Sequence, residues 1–139
     1  MNSYHDLLCI AHSMGLQVVE AIINDDRLGS YRHNTRRITL DERLTDNQKR
    51  VTLQHEIIHA EHWRDGIAQL IGHDVEEQKT RRETALRLID PNEYATAEET
   101  YDVCPYRIAD ELGVTVGLVR DYRAILEGMA EPHKMIHEA

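Results

Sequence analysis

Cysteine is scarce in this chain of 139 residues, which holds only Cys9 and Cys104, far apart. They form no C-x-x-C pair, and two thiols make no disulfide framework, so a disulfide-stapled scaffold is excluded. Both are expected to be small buried side chains in a reducing cytoplasm. No apolar run approaches the roughly 20 residues that a membrane span needs. The opening "MNSYHDLLCIAHSMG" carries acid and histidine and lacks a basic stretch followed by a long apolar one, so no signal peptide is expected. A basic surplus is also missing. The net charge of −9 argues against a broad nucleic-acid footprint, which needs clustered Lys and Arg. There is no internal repeat and no low-complexity segment.

What remains is an ordinary globular balance, with 41% apolar and 29% charged residues, at a length that suits one domain. Ser3 and Asp6 predict a capped first helix with Leu7, Leu8, Ile10, Ala11 and Met14 on its apolar side and Gly15 as its stop. The β-branched run from Leu16 to Ile23 predicts a strand. "NDDRLG" reads as a turn. A hairpin should follow, with arms over 28–32 and 37–41 and a turn near Asn34. Thr45 and Gln48 match a capping box for a helix reaching about Asp65 and ended by Gly66. That helix is apolar nearly all round, with a narrow polar strip of Arg50, Gln54, Glu61 and Arg64, and should be mostly buried. A second long helix is expected over 74–89, then short helices over 95–126. Helix, small sheet and further helices, in that order, make the fold class α+β.

Nine histidines is a high count, and three of them fall within "LQHEIIHAEHW". His55 and His59 are four apart, so on a helix they project from one side, about 6 Å apart along the axis. Two imidazoles so placed can share one zinc ion, which accepts His nitrogens at about 2.0–2.1 Å and keeps an open position in catalytic sites. Glu56 follows His55 directly and leans past the metal, where it can act as the base. The pattern is H-E-x-x-H, the helical zinc-peptidase motif. The bland alternative is a pair of hydrogen-bonded core histidines. His62 is about 10 Å along the axis from His55, too far to share one small ion with both others, so it is expected nearby as a supporting group.

The third ligand should come from "EEQKTRRETALRLID", which offers Glu76, Glu77 and Glu83. Glu83 is the first choice, because it stands beside Ala85, Leu86 and Leu88, the part expected to pack on the metal-bearing helix. Glu76 lies near a polar helix start, where an acid serves the dipole, and is a supporting candidate. Asp90 reads as a helix-end acid before proline. Tyr31, His62, His73 and Tyr94 are open candidates for an oxyanion donor. The arm from Arg37 to Leu40 is a candidate edge strand for an extended substrate. Near the C-terminus, Ile108, Ala109, Leu112, Gly113, Thr115, Leu118, Val119 and Tyr122 have helix-turn-helix spacing. Arg107, Arg120 and Arg123 there are outweighed by Asp110, Glu111, Asp121 and Glu127. A packed helical hairpin is therefore expected, and direct DNA binding is not. His133 and His137 read as tail residues.

The segments "ITLDERL", "TLQHEIIHAEH" and "RETALRLI", in that order and spacing, resemble the ImmA/IrrE-type metallopeptidases, especially short phage and mobile-element members. The likeness runs over roughly residues 15–126. It implies a minimal zincin-like fold in one domain over 1–139: a core over 1–91, a helix-turn-helix-like extension over 92–127 and a flexible tail over 128–139. It implies a zinc peptidase with His55, His59 and the downstream acid Glu83 as ligands and Glu56 as base. It also implies a cytoplasmic protein that cleaves a protein partner, a transcriptional repressor. In many relatives the acid stands about a turn earlier, where this chain has Thr80. Two rival functions stay open: a non-catalytic antirepressor that binds a partner with structural metal or none, and a DNA-binding regulator.

Overall fold

The structure is a computed structural model that describes residues 2–130. Helix α1 (Tyr4–Ser13) starts at a capping box: Asp6 N–H donates to Ser3 Oγ and Ser3 N–H to Asp6 Oδ2. It buries Leu7 and Ala11. Those two are one turn apart, so Cys9 between them falls on the opposite face and is exposed. Cys104 is half-exposed at the N-cap of a later helix. The expectation of two buried thiols is thus corrected.

Three strands follow, β1 (Gln17–Ala21), β2 (Gly29–Arg32) and β3 (Arg37–Asp41), in the spatial order β1-β3-β2. β2 and β3 form the antiparallel hairpin that the sequence predicts, with Tyr31 opposite Ile38. β1 lies parallel to β3 on its other side, with Val18 opposite Ile38. β3 is therefore central and cannot serve as the edge expected of it. Its alternation explains the position: Ile38 and Leu40 are fully buried, whereas no residue of β1 or β2 is. The free edge on the hairpin side belongs to β2.

Helix α2 (Asp46–Arg64) begins at the Thr45–Gln48 capping box and ends at Asp65, with Gly66 at a φ of +77° beyond it. A short helix that the sequence reading lacks, α3 (Ile67–Ile71), leads into α4 (His73–Leu88). Asp90 accepts from Glu93 N–H and caps α5 (Pro91–Tyr101), so it starts one helix rather than ending another. Helices α6 (Pro105–Leu112) and α7 (Val116–Ala130) complete the described residues. The tail expected from 128 falls partly within α7; 131–139, with His133 and His137, lies outside the described residues.

Two apolar clusters result. One joins α1, the sheet and α2 through Leu7, Ala11, Leu16, Ile38, Leu40, Leu53, Ile57 and Ala60. The other joins α4 to α7 through Ala85, Leu88, Ile89, Tyr94, Ile108, Val119 and Tyr122, among others. Helix α2 runs between them, which is why it is buried over most of its circumference. Its polar strip is not as expected, since Gln54 is buried and Trp63 is 38% exposed. Trp63 lies at the helix end, where its ring stacks on His33 at 5.4 Å.

The α6–α7 pair turns at Gly113, whose φ is +68°, and Leu118 N–H donates to Thr115 Oγ1. Arg50 of α2 donates to the Leu112 and Gly113 carbonyls at 3.2 and 2.8 Å. Asn47 reaches the Val114 carbonyl at 3.4 Å. The turn is thus held against α2.

Candidate metal centre

The two apolar clusters leave a polar seam between them, where the first half of α4 meets α2. His55, Glu56, His59 and His62 come from α2; Glu76, Glu77, Thr80 and Glu83 come from α4. The capping box fixes where α2 begins, and the apolar residues Leu53, Ile57 and Ala60 fix its rotation on the sheet. His55 and His59 are thereby turned toward α4. Their Nε2 atoms stand 3.1 Å apart. Glu77 faces both: Oε1 lies 2.9 Å from His55 Nε2 and Oε2 lies 3.0 Å from His59 Nε2. His55, His59 and Glu77 form the one group among the described residues that could hold a metal ion. Ligands at about 2.0–2.1 Å from a tetrahedral zinc stand about 3.3 Å from one another, so the trio fits such an ion with little adjustment.

Electrostatics tie the three together. The imidazoles of His55 and His59 hold the Glu77 carboxyl far below the usual carboxylate range, against the effect of its burial. Burial opposes charge on His59, yet Glu77, Glu56 and Glu76 outweigh it and raise its pKa to about 9. Glu56 is 7% exposed, and burial pushes its carboxyl up, the direction that suits a proton acceptor and donor.

The other candidates fall elsewhere. Glu83 does not join the two histidines: its Oε2 lies 3.1 Å from His62 Nε2, and its Oε1 lies 3.2 Å from Lys79 Nζ. The reason lies in how α2 and α4 pair. Glu76, Thr80 and Glu83 are spaced four and three apart, share one face of α4 and all meet His62, whereas Glu77 lies on the neighbouring face and meets His55 and His59. Glu83 therefore sits on the His62 side of the seam rather than on the side of the two histidines His55 and His59. Glu76 Oε2 lies 2.7 Å from His59 Nδ1 and 2.6 Å from His62 Nδ1. Burial would raise the Glu76 carboxyl, but the donors His62, Thr80 and His59 outweigh it and hold it low. Thr80 is fully buried beside Glu76.

A cleft of about 390 Å³ opens over the trio. Tyr31 and His73 line it, together with Glu56, Trp63 and the β2 residues Gly29 and Ser30. Beside it lies a hollow of about 270 Å³ walled by Leu28, Val51 and Thr52, with Arg27, Gly29, His55 and Glu56 common to both. Gly29 lets β2 come this close: a Cβ there would stand 2.6 Å from Thr52 Cγ2 and 3.0 Å from the Thr39 carbonyl. Two of the oxyanion candidates are remote or engaged. The Tyr94 hydroxyl donates to Glu98 and accepts from Arg123 in the second cluster. His62 is buried, with both ring nitrogens against carboxylates. Sequence reasoning missed Arg27 and Ser30 altogether, because nothing local signals that β2 rather than β3 is the edge.

An H-E-x-x-H helix on a small sheet, with an acid delivered by the next long helix, defines a small zincin-like α+β domain. The family model of the IrrE N-terminal-like domain matches residues 4–121, and the chain belongs to that metallopeptidase family. This bears out the family resemblance and the fold class. No curated protein matches the chain. No helix among the described residues is long and apolar enough to cross a membrane.

Proposed function

We propose that the protein is a zinc-dependent endopeptidase whose ligands are His55, His59 and Glu77 and whose general base is Glu56. The observation that carries this reading is the meeting, in an open cleft beside the buried Glu56, of two imidazole nitrogens 3.1 Å apart, each about 3 Å from one oxygen of Glu77. A zinc ion held there supplies Lewis acidity for amide hydrolysis. Glu56 accepts the proton of the attacking water and returns it to the leaving amine. Of the oxyanion candidates, Tyr31 and His73 line the cleft, and the Tyr31 hydroxyl lies 2.8 Å from His33 Nδ1. The free edge of β2 gives an extended peptide a strand to pair with, and the cleft walls take its side chains.

The substrate of this reading is a protein, and the family resemblance favours a transcriptional repressor of a phage or mobile element, met in the cytoplasm. DNA itself is not its partner, since the α6–α7 pair has no basic surplus. The test is Glu56→Gln. The variant should bind zinc as the wild type does and cleave at most about one thousandth as fast, within the usual range for losing an acid–base group. Cleavage at the wild-type rate would remove Glu56 from this role. If the variant still relieves repression in cells, the non-catalytic antirepressor is the better account.

A further inference from the structure

His62 has no place in the hydrolytic step, yet it is 3% exposed and touches two acids. Glu76 Oε2 lies close to three groups at once: His59 Nδ1 at 2.7 Å, His62 Nδ1 at 2.6 Å and Thr80 Oγ1 at 2.8 Å. Thr80 has one hydroxyl proton, and the Glu76 backbone carbonyl lies at the same 2.8 Å, so that donor is shared. His62 is then the side chain left to fix the Glu76 carboxylate. The far end of its ring is fixed in turn: Nε2 lies 3.1 Å from Glu83, which is paired with Lys79.

We infer that His62 is a positioning residue for the metal centre: its Nδ1–H holds Glu76, which takes the Nδ1–H of His59 and so presents the bare Nε2 of His59 to the ion. This rests on the zinc reading above and assigns His62 the role of orienting a carboxylate rather than binding metal. A glutamate has three rotatable bonds, and its carboxylate orients a ligand only where something holds it. Outer partners of a ligating histidine fix its tautomer and ring orientation. Lys79, Glu83, His62, Glu76 and His59 thus form one continuous row ending at the ligand.

The two ends of the His62 ring can be tested separately. In His62→Asn the amide nitrogen falls near the position of Nδ1 and keeps the bond to Glu76. In His62→Gln it falls near Nε2 and keeps only the contact to Glu83. Zinc affinity, read by competition with a chromophoric chelator, should be about 10–100-fold weaker in the Gln variant and close to wild type in the Asn variant. The visible absorption of the cobalt-substituted protein should follow the same order. Equal losses in both variants, or the reverse order, would overturn the role of Nδ1, because a packing role does not distinguish the two ends. A measurement on the wild type guards against misfolded variants. Nitrogen-15 spectra of the zinc-loaded chain should show hydrogen on Nδ1 of both His59 and His62, and a bare Nδ1 on His62 refutes the inference. If the wild type takes up neither zinc nor cobalt, the metal reading itself has failed, a result distinct from these.

Discussion

Glu77 meets two histidines with its two oxygens, and that double contact separates it from the other acids of α4. Glu77→Gln should weaken zinc binding by more than the ~10–100-fold that loss of an outer partner costs. Glu83→Gln should still bind one zinc per chain, because Glu83 reaches only His62 and Lys79. Metal content of the two purified variants checks this, and loss of zinc in Glu83→Gln alone would restore Glu83 as the ligand. The same residues set a pH dependence in metal-free protein. His59 has its pKa raised to about 9, so its contribution to stability is full below the ordinary histidine value near 6.5 and is lost as pH rises toward 9. Glu77 is depressed, so its contribution is present above its ordinary 4.5 and is lost on acidification well below that value. These two contributions are both full between about 4.5 and 6.5; the raised carboxyl of buried Glu56 adds a loss that begins above 4.5, so the melting temperature of chelator-treated protein should fall as pH rises toward 9. Zinc uptake near neutrality should release a proton, since a ligating imidazole must be neutral on its ligating nitrogen. Calorimetry in two buffers of different ionisation enthalpy measures that release, and identical heats would contradict it.

Among the elements, α2 and β2 decide the site. Helix α2 supplies both histidines and Glu56; β2 supplies one wall of the cleft and its free edge. They approach closely only because residue 29 lacks a side chain. Gly29→Ala should push β2 off α2 and lower stability by about 1–3 kcal/mol, the usual effect of overpacking. Zinc binding should survive, since no ligand lies on β2, whereas peptide cleavage should slow. Denaturant unfolding with a zinc titration checks both parts, and an unchanged melting curve would show that Thr52 yields freely. Much of this level was legible beforehand. The Thr45–Gln48 capping box places the start of α2, and the alternation at Ile38 and Leu40 marks a half-buried strand. The edge was not legible. Alternation places two side chains inward but does not say whether β1 pairs on the far side of β3.

For the molecule as a whole, α2 joins two apolar clusters, and the clamp from Arg50 to the α6–α7 turn holds the second to the first. Burial lowers the pKa of the Arg50 guanidinium, but it stays charged, so its bonds to the two turn carbonyls, and a third to the Asn2 carbonyl at 2.7 Å, are charge-assisted. Arg50→Met should cost about 1.5–3 kcal/mol. Amide exchange should speed up over 105–122 more than over 37–60. Uniform exchange changes would mean that the helical pair is not anchored there. With its turn occupied in this way, the helix-turn-helix spacing makes a docked hairpin. Spacing alone does not separate that from a DNA reader, because both need the same buried positions at Ile108, Leu118 and Val119.

By itself the sequence determined what is local in origin: the caps at Ser3 and Thr45, the strand alternation, and the four-residue spacing that sets His55 and His59 on one side of a helix with Glu56 beside them. Each of these follows from bonds and periodicities within a few residues. Only the tertiary structure decided which acid meets those histidines, which strand is the edge, and that His62 lies between Glu76 and Glu83. The edge depends on β1 pairing along the far side of β3, and the other two depend on how α4 crosses α2. That crossing is set by the unforeseen turn of α3 and by side chains packed from distant parts of the chain, and no spacing along either helix encodes it.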